Sequence, residues 1–129
     1  MLKLFTVIFL TLLTYTNLHD ISYHHFMLIP AIIKVESNGD AKAVSNKGAI
    51  GLMQIRYSVW KKELKKQGII KTRKCLFNPE KNVKAGKFIL ASYIKKSSNL
   101  ETALYKYSGG SKTYYNKVIK ELNKNENSN

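Results

Sequence analysis

An apolar helix that closes on a glutamate, answered about a dozen residues later by a glycine-rich segment, constrains this chain more than any other feature. The first run is Ile33-Lys34-Val35-Glu36-Ser37-Asn38-Gly39-Asp40, and the second is Gly48-Ala49-Ile50-Gly51-Leu52-Met53-Gln54-Ile55. Residues 22–37 carry Phe26, Ile29, Ile32, Ile33 and Val35 near helical spacing, which predicts an amphipathic helix. Pro30 lacks the amide that would bond back one turn and should kink that helix or mark a restart. Asn38-Gly39 supplies the stop, since glycine takes the left-handed C′ conformation at little cost. Glu36 is thereby set at a helix end, facing a backbone that its glycines allow to approach a bulky ligand. A carboxyl held in an apolar pocket stays protonated near neutral pH and can give up its proton to a leaving oxygen, the requirement of general acid catalysis at a glycosidic bond.

The rest of the chain reads as helices with short connections. Residues 40–51 form an irregular loop or a short hairpin, with Gly39, Gly48 and Gly51 as turning points. A second helix is expected from about Ile55 to Gln67. Asn78-Pro79-Glu80 opens a third, with Ala85, Phe88, Ile89 and Tyr93 on one face. A fourth starts near Leu100 and reaches Gly109-Gly110, and a fifth covers about Lys112 to Leu122. There is no internal repeat and no strand-rich region. The fold class is therefore mainly α.

The N-terminus reads as an export signal over residues 1–19: a short positive start, then the apolar run of residues 4–13. That run matches a signal-peptide core and falls short of the roughly 20 residues of a bilayer span. An uncleaved membrane anchor and a buried N-terminal helix are the alternatives. The functional domain then occupies residues 20–122, and the polar stretch 123–129 reads as a disordered tail. The formal net charge of +14 comes almost wholly from lysine, Arg56 and Arg73 being the only arginines. Lysine is a hydrated point charge, poorly suited to bidentate reading of bases. The excess points to an anionic polymer or surface and away from specific nucleic-acid recognition; solubility alone would also account for it. Cys75 is the only cysteine, which excludes an internal disulfide and a thiolate metal cluster, and it reads as an incidental thiol. His19, His24 and His25 lack a third ligand at zinc spacing and read as surface residues.

Ordered motifs extend the pattern around Glu36. They are Ile33-Lys34-Val35-Glu36-Ser37, Ala43-Val44-Ser45, the run of residues 48–54, the segment from Asn78 to Gly86, and Ala103-Leu104-Tyr105-Lys106-Tyr107-Ser108-Gly109-Gly110. Through these, residues 29–122 resemble the catalytic domain of the soluble lytic transglycosylases, relatives of goose-type lysozyme. The resemblance implies a lysozyme-like helical domain with the glycine-rich loop or short hairpin beside the active-site cleft. It also implies a monomeric enzyme acting on peptidoglycan glycan strands, with no metal or cofactor. Two departures stand out: Ser108 occupies a substrate-contacting position where the family usually has Asn, and Arg56-Tyr57 replace a common Met-Pro.

By this resemblance Glu36 is the sole acid/base. It protonates the oxygen between N-acetylmuramic acid and N-acetylglucosamine, then takes the proton of the muramyl C6 hydroxyl as that oxygen closes on C1. Ser45 and Gln54 match positions that bond the substrate or orient the acid. Tyr107 matches the tyrosine whose hydroxyl lies near the catalytic carboxylate. Ser37, Met53 and Ser108 complete the expected substrate contacts, Met53 chiefly by packing. Tyr57, Trp60, Tyr105 and Tyr114 either stack on sugar rings or fill the core. A two-carboxylate glycosidase needs a partner about 5–9.5 Å away, and Asp40, beyond the helix-breaking Gly39, reads as a turn residue. A muramidase with the same fold, in which water attacks C1, and a non-catalytic cationic wall-binding protein are the competing readings. An exported location, in the periplasm, envelope or outside the cell, follows from the signal. Local wall opening for a secretion or conjugation apparatus, or for a phage, follows from family analogy alone. Membrane contact is expected only through an uncleaved N-terminal segment.

Overall fold

The structure, a computed structural model, describes residues 27–127. The signal segment and the three histidines lie outside these residues, as do positions 22–26 of the first expected helix. Helix α1 covers 27–37 and runs through Pro30. Asn38 (φ 52°) and Gly39 (φ 82°) then both take left-handed backbone, and the Asn38 amide donates to the Lys34 carbonyl at 3.1 Å. That is how a helix ends when its last carbonyls need donors.

The glycine-rich segment folds as a hairpin. Strand β1 (Ala49–Ile50) pairs antiparallel with β2 (Ile55–Arg56), Ala49 opposite Arg56 and Ile50 opposite Ile55. Ile55 and Arg56 are therefore strand, and helix α2 spans Tyr57–Lys66, two residues later than periodicity placed its start. Cross-strand pairing of the buried Ile50 and Ile55 outweighs helix propensity there. Gly48 and Gly51 have positive φ at the turning points expected of them.

A 3₁₀ helix (Arg73–Phe77) leads into α3 (Pro79–Lys95), with Asn78 as its cap: the side chain accepts the Lys81 amide at 2.9 Å and Pro79 opens the first turn. Helix α4 spans Leu100–Tyr107, capped by Asn99, whose side chain accepts the Thr102 amide at 2.8 Å. Helix α5 spans Tyr114–Glu126. It continues four residues beyond the Leu122 at which the sequence places its end, so positions 123–126 of the expected disordered tail are helical. Among the described residues the architecture is mainly α, as expected. α3 packs on the 3₁₀ helix and on α4, and α4 packs on α5. Ile32, Ile50, Met53, Leu64, Leu76, Leu90, Leu104 and Val118 join in one core. No helix among these residues is long and apolar enough to cross a membrane.

One buried polar side chain fixes the hairpin to this core. Asn82 on α3 is fully buried. It accepts the Met53 amide at 2.8 Å and donates to the carbonyls of Ile50 at 2.8 Å and Leu76 at 2.7 Å. Gly51 has φ 74°, and a Cβ on it would collide with the Asn82 amide and come 2.6 Å from the Leu76 carbonyl oxygen. A side chain is excluded there both by conformation and by space.

Candidate active site

Helix α1 carries its acid inward by periodicity. Leu28 and Ile32 are buried core residues, and Glu36 follows Ile32 by four positions on the same face. The apolar stripe that buries the helix therefore ends by half-burying a carboxyl. Burial raises the Glu36 pKa above the ordinary glutamate value, and this outweighs the opposing hydrogen bond from Tyr114. The helix C-terminus adds a further bias against negative charge.

Tyr114 donates its hydroxyl proton to Glu36 Oε1 at 2.6 Å. Burial first, then the nearby Glu36 carboxyl, raises the Tyr114 pKa, so this phenol stays a donor. Its ring stacks on that of Tyr107, centroids 6.3 Å apart and planes 25° apart. Tyr107 is itself held neutral, by burial and by Glu36. Its hydroxyl donates to the Met53 carbonyl at 2.9 Å and ties α4 to the hairpin turn. The hydroxyl bound to the catalytic candidate is thus that of Tyr114, not of Tyr107. Sequence reasoning placed Tyr114 among generic aromatics. The signal that would have found it is topological: after Gly109-Gly110 the chain turns back, which brings the first turn of α5 beside the last turn of α4.

A cleft of about 190 Å³ opens over this centre, lined by Glu36, Ser45, Lys47, Ala49, Gln54, Arg56, Tyr107, Ser108 and Gly109. Four expected site residues besides Glu36 meet here. Ser45 Oγ accepts the amides of Ala49 at 3.0 Å and Lys47 at 3.3 Å, which leaves its own proton to donate. Gln54 holds φ 51°, a left-handed value uncommon outside glycine. Its side-chain amide donates to the carbonyls of Gly51 at 3.1 Å and Ala43 at 3.3 Å, and its carbonyl oxygen has no partner among the described residues. These two hydrogen bonds hold the left-handed backbone of Gln54 in place at the cleft wall. Ser108 Oγ donates to the Tyr105 carbonyl at 2.8 Å and accepts the Ser111 amide at 3.0 Å, shaping the turn after α4.

Two expected contacts fall away from the cleft. Met53 is fully buried, its thioether against Gly86 of α3, where a Cβ would stand 2.6 Å from the Met53 methyl. Its side chain cannot touch a ligand and its role is packing. Ser37 is half-buried and donates to the Leu52 carbonyl at 2.8 Å, fastening the end of α1 to the hairpin. Asp40 is exposed and accepts the Lys42 amide at 2.8 Å as a turn residue. Arg56, one of the two departures from the family pattern, lines the cleft, as does Lys47, which sequence reasoning did not single out. Of the aromatics, Trp60 packs edge-on against Tyr93. Tyr105 borders a separate hollow between α4 and α5 with Glu101, Thr102, Ser111, Lys112 and Tyr115. Cys75 lies apart from the cleft, its pKa lowered to about 7 chiefly by main-chain hydrogen bonds at Thr72 and Lys71, with the Lys81 charge a lesser influence.

The chain is 28% identical over 105 residues to the protein named Transglycosylase of Enterobacteria phage PRD1, an alignment covering 74% of this chain and 37% of the phage protein. The chain thus spans little more than a third of that relative's length. No solved structure matches it significantly. The family described as Transglycosylase SLT domain matches residues 19–129, most of the chain, and the chain belongs to that family.

Proposed function

We propose that this protein is an exported lytic transglycosylase that cleaves the β-1,4 bond between N-acetylmuramic acid and N-acetylglucosamine in peptidoglycan and leaves 1,6-anhydromuramic ends. The observation that carries the reading is the half-buried Glu36, its pKa raised by burial and its carboxyl oriented by the Tyr114 hydroxyl at 2.6 Å, in the wall of a cleft. The protonated Glu36 gives its proton to the glycosidic oxygen as the C1–O bond breaks, and the N-acetyl group of the sugar steadies the positive C1. The Glu36 carboxylate, now stabilised by Tyr114, takes the C6 hydroxyl proton as that oxygen bonds to C1. The acid is regenerated and no second carboxylate is required. Glu36 is the one carboxylate in the cleft lining among the described residues, and this supports intramolecular attack over the paired-carboxylate routes.

The test is Glu36→Gln beside Asp40→Asn. Glutamine keeps the shape and can still accept from Tyr114, but it cannot transfer a proton. Clearing on peptidoglycan gels should fall at least about 10²-fold for Glu36→Gln, with an unchanged circular dichroism spectrum, while Asp40→Asn keeps most of its activity. Near-wild-type clearing by Glu36→Gln would remove the assignment.

A further inference from the structure

Arg56 is the residue of the cleft that general acid catalysis does not use. It closes β2 and stands at the start of α2 with extended backbone. The side chain is half-buried and its guanidinium lies along the turn after α4. A Cβ at Gly109 (φ 75°) would stand 3.2 Å from Nη2 and 3.6 Å from Cζ, so glycine at that position leaves the guanidinium its room. Lys47 contributes a second cation to the same lining. Neither side chain has a hydrogen-bond or ion-pair partner among the described residues.

An unpaired guanidinium on a half-buried side chain is open to a counter-ion, and its planar fork matches a carboxylate in bidentate fashion. Neutral sugar hydroxyls do not call for a permanent cation. Within the reading of the site as a peptidoglycan-cleaving cleft, on which this step rests, the glycan supplies such a group on the side arm of each muramyl sugar. We propose that Arg56, assisted by Lys47, binds a carboxylate on the muramyl side arm and makes the cleft selective for anionic strands. That carboxylate is either the lactyl group itself in peptide-free strands or a stem-peptide carboxylate in peptide-bearing ones.

The experiment compares solubilised peptide-bearing strands with strands stripped of peptide by an amidase. Each is used as prepared and after carbodiimide conversion of its carboxylates to amides, at physiological ionic strength. For the wild-type protein, amidation should raise KM about tenfold or more with little change in kcat, and the strand type showing the effect identifies the carboxylate. Arg56→Gln should lose most of this discrimination and Arg56→Lys part of it. Lys61→Gln, which removes one exposed charge on α2, should keep it and so separates a local site from general attraction. Equal KM for charged and amidated strands in the wild type, a comparison that needs no variant, overturns the proposal, as does undiminished discrimination by a folded Arg56→Gln. Failure of the wild type to cleave any strand overturns the functional reading itself, and this inference with it.

Discussion

At the scale of single residues, the central fact is a competition at Glu36. Burial at the end of an apolar stripe favours the neutral acid, while the Tyr114 hydroxyl favours the carboxylate, and burial is the larger effect. A general acid must be protonated to act, so the rate declines as pH rises through the Glu36 pKa. Tyr114→Phe removes the influence that lowers this pKa. The alkaline limb of the pH–rate profile should therefore move to higher pH, while kcat falls about tenfold or more because the carboxyl loses its orientation. A profile of unchanged shape would show that the 2.6 Å contact does not tune the acid. The same competition gives a stability prediction with a definite sign. A carboxyl whose folded pKa is raised contributes most at low pH and loses that contribution as pH rises through the folded value. Glu36→Gln should consequently melt higher than wild type above the Glu36 pKa and near wild type at pH 4. The helix-end placement of Glu36 was legible from its own flanking residues, whereas Ser45, Gln54 and Ser108, which line the same cleft, were expected only through the family resemblance. Tyr114 was not, because its partner lies 78 positions away in the chain and an aromatic at helical spacing gives no sign of a polar contact.

At the scale of elements, local chemistry made most of the helices readable. Asn78-Pro79 and the Asn38-Gly39 stop act within one turn, where sequence and structure are nearly the same information. The two-residue strands were less readable. Ile55 and Arg56 continue an apolar pattern into α2, and only pairing with Ala49 and Ile50 makes them strand. What holds that hairpin in place is Asn82, a long-range clamp whose three hydrogen bonds reach Met53, Ile50 and Leu76. Asn82→Ala leaves a buried amide and two buried carbonyls without their partner, which should cost about 2–3 kcal/mol of stability. Denaturant unfolding measures this directly, and a loss under about 0.5 kcal/mol, the size of an ordinary surface change, would contradict the clamp. Ser37 to Leu52 also joins the end of α1, which carries the acid, to the hairpin, and Tyr107 to Met53 joins α4 to the same hairpin. The candidate site is thus fixed by the packing of three helices and one turn, not by a mobile loop.

At the scale of the whole molecule, a chain of 129 residues with 22 basic and 8 acidic side chains carries a field that a small cleft does not need. On the proposed function, the excess attracts the protein to an anionic wall polymer, an attraction screened within about 8 Å at physiological ionic strength. Binding to intact sacculi should therefore weaken steeply between low and high salt, measured by co-sedimentation of Glu36→Gln so that cleavage does not interfere. Binding that ignores salt would assign the charge another purpose. The helical class was legible from apolar periodicity and helix stops, and the family from five ordered motifs, whereas the chemical outcome is not written in any of them, since lyase and hydrolase differ only in what reaches C1 first. Mass spectrometry of muramyl ends released from purified peptidoglycan decides that point. The single-carboxylate cleft around Glu36 predicts 1,6-anhydro ends, one water lighter than reducing ends, and a product pool made of reducing muramyl ends would contradict it.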